Sequence, residues 1–144
     1  MSMAVILTIF AFGSINLLRV ITNADLDQAV NTFIADAKSQ QNSAMLGDSQ
    51  GEQYHGIKID PDGYIFFKGD TFLESDPGNY KFNSPQNVIL TTGFAQGIVV
   101  FSTMSGEIKD YLDTASNVTF TGPDGRSVTI RFNKLGNVSY YNKN

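Results

Sequence analysis

Several small groups of side chains in this chain could do chemistry, and each lacks a partner that its chemistry requires. His55 is the single histidine and there is no cysteine, so multi-histidine and thiolate metal sites, disulfides and a cysteine nucleophile are excluded. With no second ligand or base, His55 reads as a surface residue without a role. Asp60 and Asp62 in "DPDG" are spaced like the first half of a calcium loop. Where a later acidic ligand should stand the chain has Lys68 and Gly69, so a tight turn is the better account. Asp110 and Asp113 in "KDYLD" could hold an ion with neighbouring carbonyls, or equally well line a solvated loop. Ser102 and Ser105 have no histidine-based partner pattern and no Gly-x-Ser-x-Gly elbow, which leaves nucleophilic catalysis without support. "NVT" at Asn117 and "NVS" at Asn137 fit the glycosylation acceptor pattern, but both fall in predicted strands. No catalytic, cofactor or metal residue is therefore expected, and the chain reads as a non-enzyme that needs no cofactor.

Charge narrows the partners. Arg126 and Arg131 could line a basic strand face, yet the net charge is −4, which disfavours broad attraction to phosphate backbones and makes nucleic acid a poor partner. Missing cysteines leave the compartment open. A length of 144 residues with 42% hydrophobic content suits one domain with a buried core.

The elements that would position these residues begin with an uncharged run. Every residue from Ser2 to Leu18 is apolar or small and neutral, and the first charge is Arg19. Extended to Ile21, the run approaches the ~20 residues that cross a hydrocarbon core. A signal peptide would show a basic start and a small-residue cleavage site. A buried core helix would need a larger domain around it. The expectation is a transmembrane helical segment over 1–24, followed by a globular unit over 25–144. Leu26, Val30, Phe33, Ile34, Ala37 and Ala44 then recur at helical spacing between Asp25, Asp27, Gln28, Asp36 and Lys38. This predicts an amphipathic helix over 25–46, whose Val30, Phe33, Ile34 and Ala37 form the core contact with a sheet. No proline precedes Pro61, and Gly13 is the only glycine before Gly47, so one helix could run from about Ser2 to about Leu46.

Beyond Gly47 the period changes to alternation, as in Ile57/Ile59 and Val128/Ile130/Phe132, predicting a β domain over 52–142. Strands are expected at 54–59, 64–68, 88–92, 98–103, 117–121, 127–132 and 137–141. "DPDGY" and "GPDGR" should each close a hairpin, with proline at a fixed φ and glycine at a positive one. Residues 69–86, with Asp-Pro-Gly and Ser-Pro, are expected to be a long surface loop.

An apolar helix running into an amphipathic one, ahead of a small antiparallel β domain, resembles the type IV pilin-like proteins, including the pseudopilins of type II secretion. "IVVFSTMSGEI" (98–108) and "NVTFTGPDGRSVTIRFNKLGNVSYYN" (117–142) narrow the resemblance to minor pseudopilins of the GspH/FimT type. "SMAVILTIFAFGSI" is similar to the stretch after the family's Gly-Phe-Thr-Leu-x-Glu processing site. That site is absent here, so its processing and docking roles pass to no residue, and Met1 is expected to be an internal start inside the mature helix. The resemblance implies an α+β pilin-like fold, a long N-terminal helix, transmembrane then amphipathic, packed on a C-terminal antiparallel β-sheet domain. It also implies a minor pilin or pseudopilin of a type II secretion pseudopilus or type IV pilus. Its partners would be other pilins in a helical filament and the inner-membrane assembly platform. It would be single-pass in the bacterial inner membrane with its β domain extracytoplasmic, and extracellular when assembled. Gly13 and Ser14 would let helices approach closely in the filament, and Arg19 would lie at the membrane surface or pair with a neighbour. The alternative from another class is a membrane-tethered extracytoplasmic domain whose loop 69–86 binds a ligand.

Overall fold

The computed structural model describes residues 2–47, 55–69 and 71–143, with side chains placed for 24–47, 55–69 and 71–139. The elements are α1 (Ser2–Leu46), β1 (His55–Asp60), β2 (Gly63–Lys68), β3 (Tyr80–Asn83), β4 (Ile89–Thr92), β5 (Ile98–Phe101), β6 (Asn117–Thr121), β7 (Ser127–Phe132) and β8 (Val138–Lys143). The strands form two four-stranded antiparallel sheets, ordered β3-β2-β1-β5 and β4-β6-β7-β8.

The expected fold class is corrected on two counts. Of α1, only residues 24–46 carry described side chains, and this short amphipathic segment is what packs on the sheets; a long helix that is first transmembrane and then amphipathic finds no support. Among the described residues no helix is long and apolar enough to cross a membrane. The reason is local: exposed Asp27, Asn31, Ala35, Lys38 and Asn42 give this segment a wet outer face, which belongs on a protein surface and not in lipid. The single-pass placement consequently finds no support among these residues, and residues 1–23 of the expected 1–24 span lie outside the described side chains. The second count is the partner of the helix, which is a pair of sheets and not one.

Both predicted hairpins are present. Asp60 pairs with Gly63 to close β1 on β2, and Thr121 pairs with Ser127 to close β6 on β7. In the first, a Cβ on Gly63 would lie 2.0 Å from the Phe82 carbonyl oxygen, so only glycine lets β3 approach β2 there. The strand β3 itself falls inside the segment expected to be loop. It is four residues long and lies on a sheet edge, too short for alternation to announce it. After it, residues 84–88 carry the chain to the other sheet, with Ser84 N–H donating to the Asp62 carbonyl at 2.8 Å and Leu90 N–H to the Pro61 carbonyl at 3.1 Å. The remainder of the expected loop is held by its own turns: Asn79 N–H donates to Asp76 O, and Gly78 N–H to the Asp76 carboxylate at 2.7 Å.

The core lies where the helix meets both sheets. Leu26, Ala29, Val30, Phe33, Ala37 and Ala44 come from α1. Ile57, Ile59, Tyr64, Val99 and Phe101 come from the first sheet, and Leu90, Val118, Phe120, Val128, Ile130 and Phe132 from the second. Phe33 is the hinge of this arrangement, meeting Tyr64 edge-on at 5.0 Å between ring centroids, Phe120 at 5.4 Å and Phe132 at 6.5 Å. Each such aromatic contact adds about 0.5–1.5 kcal/mol beyond area burial. On the far face of the first sheet Phe67 is also buried. Its ring covers Gly56 on β1 and meets Phe72 at 5.5 Å, which pins the segment after β2.

Candidate functional site

The seat of the helix is built differently along its length. At the 26–37 end the contact is apolar. Val30, Phe33 and Ala37 are buried, and Ile34 packs at the margin of the core. One polar pair interrupts it, the Tyr64 hydroxyl donating to the Asp36 carboxylate. Burial, then the hydrogen bond to Asp36, then that carboxylate's charge, raise the Tyr64 phenol far above its ordinary value of 10.0.

At the other end the contact is polar. Gln41 is only 3% exposed although it continues the apolar stripe. Its Nε2 donates to the Leu135 carbonyl at 2.6 Å and to the Gly106 carbonyl at 3.0 Å, while its Oε1 accepts from Lys38 Nζ at 2.8 Å. One side chain thus ties α1 to the turn after β5 and to the turn between β7 and β8. The fit leaves no room: a Cβ on Gly136, whose φ is +74°, would stand 2.3 Å from Gln41 Nε2. Met104 N–H also donates to the Ala44 carbonyl at 3.1 Å, satisfying a carbonyl in the last turn of the helix.

A cavity of about 140 Å³ opens beside the apolar end, between Gln28 and Thr32 of α1, Tyr64, Ser84, Pro85 and Phe120. Its floor is aromatic and apolar and its rim carries neutral amides and hydroxyls, so it suits a compact uncharged group. Among the described residues the Ser84 hydroxyl is buried without a hydrogen-bond partner.

The residues singled out for chemistry are not gathered here. His55 lies in β1. Asp60 pairs with Lys58 at 2.7 Å, and Asp62 with Lys81 at 2.8 Å, the ammonium holding the Asp62 carboxyl below its usual range. Asp113 accepts from the Tyr111 hydroxyl at 2.8 Å, and Asp110 adopts a positive φ of 54°. The Ser105 hydroxyl accepts from Glu107 N–H at 3.3 Å and Ser102 N–H donates to Glu107 O, so both serines serve the turn. Arg126 lies 3.8 Å from Asp124, and Arg131 is exposed on β7. Asn117 opens β6, whereas Asn137 sits in the turn before β8 and not in a strand. No group of three or more His, Asp or Glu side chains among the described residues could hold a metal ion. Gly13, Ser14 and Arg19 lie outside the residues whose side chains are described. Gln41 was the residue missed: its place at i+4 from Ala37 and i−3 from Ala44 marks it as inward-facing. The Asp36–Tyr64 pair leaves no signal in the sequence.

No family model, curated protein or solved structure matches the chain.

Proposed function

We propose that this chain is an assembly subunit of the minor pilin or pseudopilin kind, working by packing and not by turnover, with its β domain on the extracytoplasmic side. Its partners in this reading are other pilins in a helical filament and the inner-membrane assembly platform. The observation that supports it most is the double fastening of residues 24–46, by the Phe33 cluster at one end and the Gln41 clasp at the other. A head held into a filament by its helix transmits load through the helix-to-head contact, and a contact anchored on both sheets resists rotation as well as detachment. The "IVVFSTMSGEI" and "GPDGR" motifs add support from sequence, since these form the strand, turn and hairpin that surround that contact.

The test is to express a tagged chain in its own host with the rest of the pilin or pseudopilin set, shear surface filaments and probe the filament fraction. The expected result is co-purification that is lost when the major subunit is deleted. Normal expression with no chain in filaments of normal yield would overturn the reading.

A further inference from the structure

The cavity beside the apolar end of the helix is built in two tiers. Its floor is made by Ala29 of α1, Tyr64 of β2, Leu90 of β4 and Phe120 of β6, all buried. Its rim carries Gln28 and Thr32 from the helix and Asn83 and Ser84 from the end of β3. Gln28, Thr32 and Asn83 are exposed, so two amides and a hydroxyl stand at the mouth. The Ser84 hydroxyl is buried without a hydrogen-bond partner, a demand that a group entering the cavity can meet.

An aromatic row leads from this cavity to the surface. Tyr64 stacks on Phe82, with ring centroids 5.2 Å apart and planes inclined by 18°, and Phe82 meets Tyr80 at 4.7 Å. Tyr80 lies on the edge strand β3 and is 63% exposed. The row therefore begins at the cavity and ends in solvent. Each of its steps is close to the length of one pyranose in a chain.

The ligand's chemistry follows from the combination. A volume of about 140 Å³ takes one six-membered ring, as apolar cavities of similar size take up benzene. A wholly apolar ring would suit the floor but leave the Ser84 hydroxyl unpaired. An anion would find no cation in the lining, and Lys81, the ammonium on β3, is already paired with Asp62. A cation would find no carboxylate there, because Asp36 is engaged by the Tyr64 hydroxyl outside the lining. A neutral pyranose fits both tiers: its C–H face is apolar, and its edge carries hydroxyls that donate and accept. Aromatic faces with neutral amides and hydroxyls around them are complementary to those two surfaces.

We propose that this cavity binds the end of a neutral oligosaccharide, one pyranose entering between Thr32, Ser84 and Phe120 and the next lying along Phe82 and Tyr80. The cavity supplies the polar contacts and the aromatic row supplies area, so a disaccharide binds more tightly than its monosaccharide. This inference goes beyond the proposed function and does not depend on it. A chain that enters filaments without binding sugar, or binds sugar without entering filaments, separates the two.

The test is a titration of the isotope-labelled full chain, followed by amide chemical shifts. The probes are glucose, galactose and N-acetylglucosamine, and the disaccharides cellobiose, lactose and di-N-acetylchitobiose, with glucuronate and phenol as the charged and apolar comparisons. At least one neutral sugar should give saturable shifts at Ala29, Ser84 and Leu90, its disaccharide should saturate at lower concentration, and glucuronate and phenol should bind more weakly. Ser84→Ala should weaken both sugars by about threefold to tenfold, the range of one neutral hydrogen bond. Tyr80→Ala, a change at an exposed position, should weaken the disaccharide and leave the monosaccharide unchanged. Circular dichroism matching the unmodified chain shows that each variant is folded. No saturable shift from any of the six neutral sugars would overturn the inference. Tighter binding of phenol or glucuronate would overturn it in favour of an apolar or an anionic ligand, and a disaccharide indifferent to Tyr80→Ala would overturn the second subsite.

Discussion

The two ends of the helix seat solve the same problem with different physics. Around Phe33 the helix is held by apolar area and ring contacts, which are strong in sum and tolerant in direction. Around Gln41 it is held by two hydrogen bonds of fixed geometry, to the Gly106 and Leu135 carbonyls, and by two glycines that leave room for nothing else. The first end supplies most of the binding energy. The second supplies register, because an amide that must meet two carbonyls on two different turns cannot slide by a residue or rotate by a fraction of a turn. An apolar seam alone would leave the helix free to settle in more than one position, and a polar clasp alone would be too weak to order it.

The largest effect should come from breaking the apolar end. Phe33→Ala removes a fully buried ring shared by both sheets and should cost about 3–5 kcal/mol, read from urea unfolding of the full chain. A loss below about 1 kcal/mol would mean that the seam does not depend on this ring. At the clasp, Gln41→Ala deprives two carbonyls of their donor and should cost about 1–3 kcal/mol. The comparison is sharpened by what accompanies that loss. Amide exchange should rise in the turns around Gly106 and Leu135 before it rises in β1 or β6, whereas Phe33→Ala should raise exchange in both sheets together. A uniform rise with Gln41→Ala would show that the two ends are not separable.

The smallest effect belongs to the polar pair inside the apolar end. Tyr64→Phe removes only the hydroxyl that Asp36 accepts and should cost about 1 kcal/mol near neutral pH. Its signature lies in the pH dependence. The folded phenol titrates above its unfolded value of 10.0, so the stability it contributes is fully present below that pH. Above it the unfolded chain sheds the proton while the folded chain retains it, and stability falls as pH rises. Denaturation midpoints of the wild-type chain should decline above pH 10 more steeply than those of Tyr64→Phe. Parallel declines would remove Tyr64 from the account.

Local pattern carried much of the fold. Strands expected at 117–121 and 127–132 are β6 and β7 to the residue, and the two Asp-Gly turns close the hairpins read from them. In each case the signal is short-ranged, an alternation of two residues or a turn dipeptide whose backbone preference acts within four. The helical stripe was legible for the same reason, although a stripe shows only that a face will be covered. Its continuation through Gln41 was readable as spacing, but the amide's two acceptors lie 65 and 94 residues away in sequence.

The sequence by itself determined seven of the eight described strands, where the hairpins turn and which face of residues 24–46 turns inward, because period and turn chemistry act between near neighbours. Only the tertiary structure decided that the strands divide into two sheets and that four residues of an expected loop join one of them as an edge. It also decided that Tyr64 meets Asp36 and that exposed methionines and leucines from three distant segments gather at one end of the helix. The physical reason is that hydrophobic burial is non-directional. It states how much surface must be covered but not by what, and the choice among partners is made by packing and by the few hydrogen bonds that one arrangement alone can satisfy.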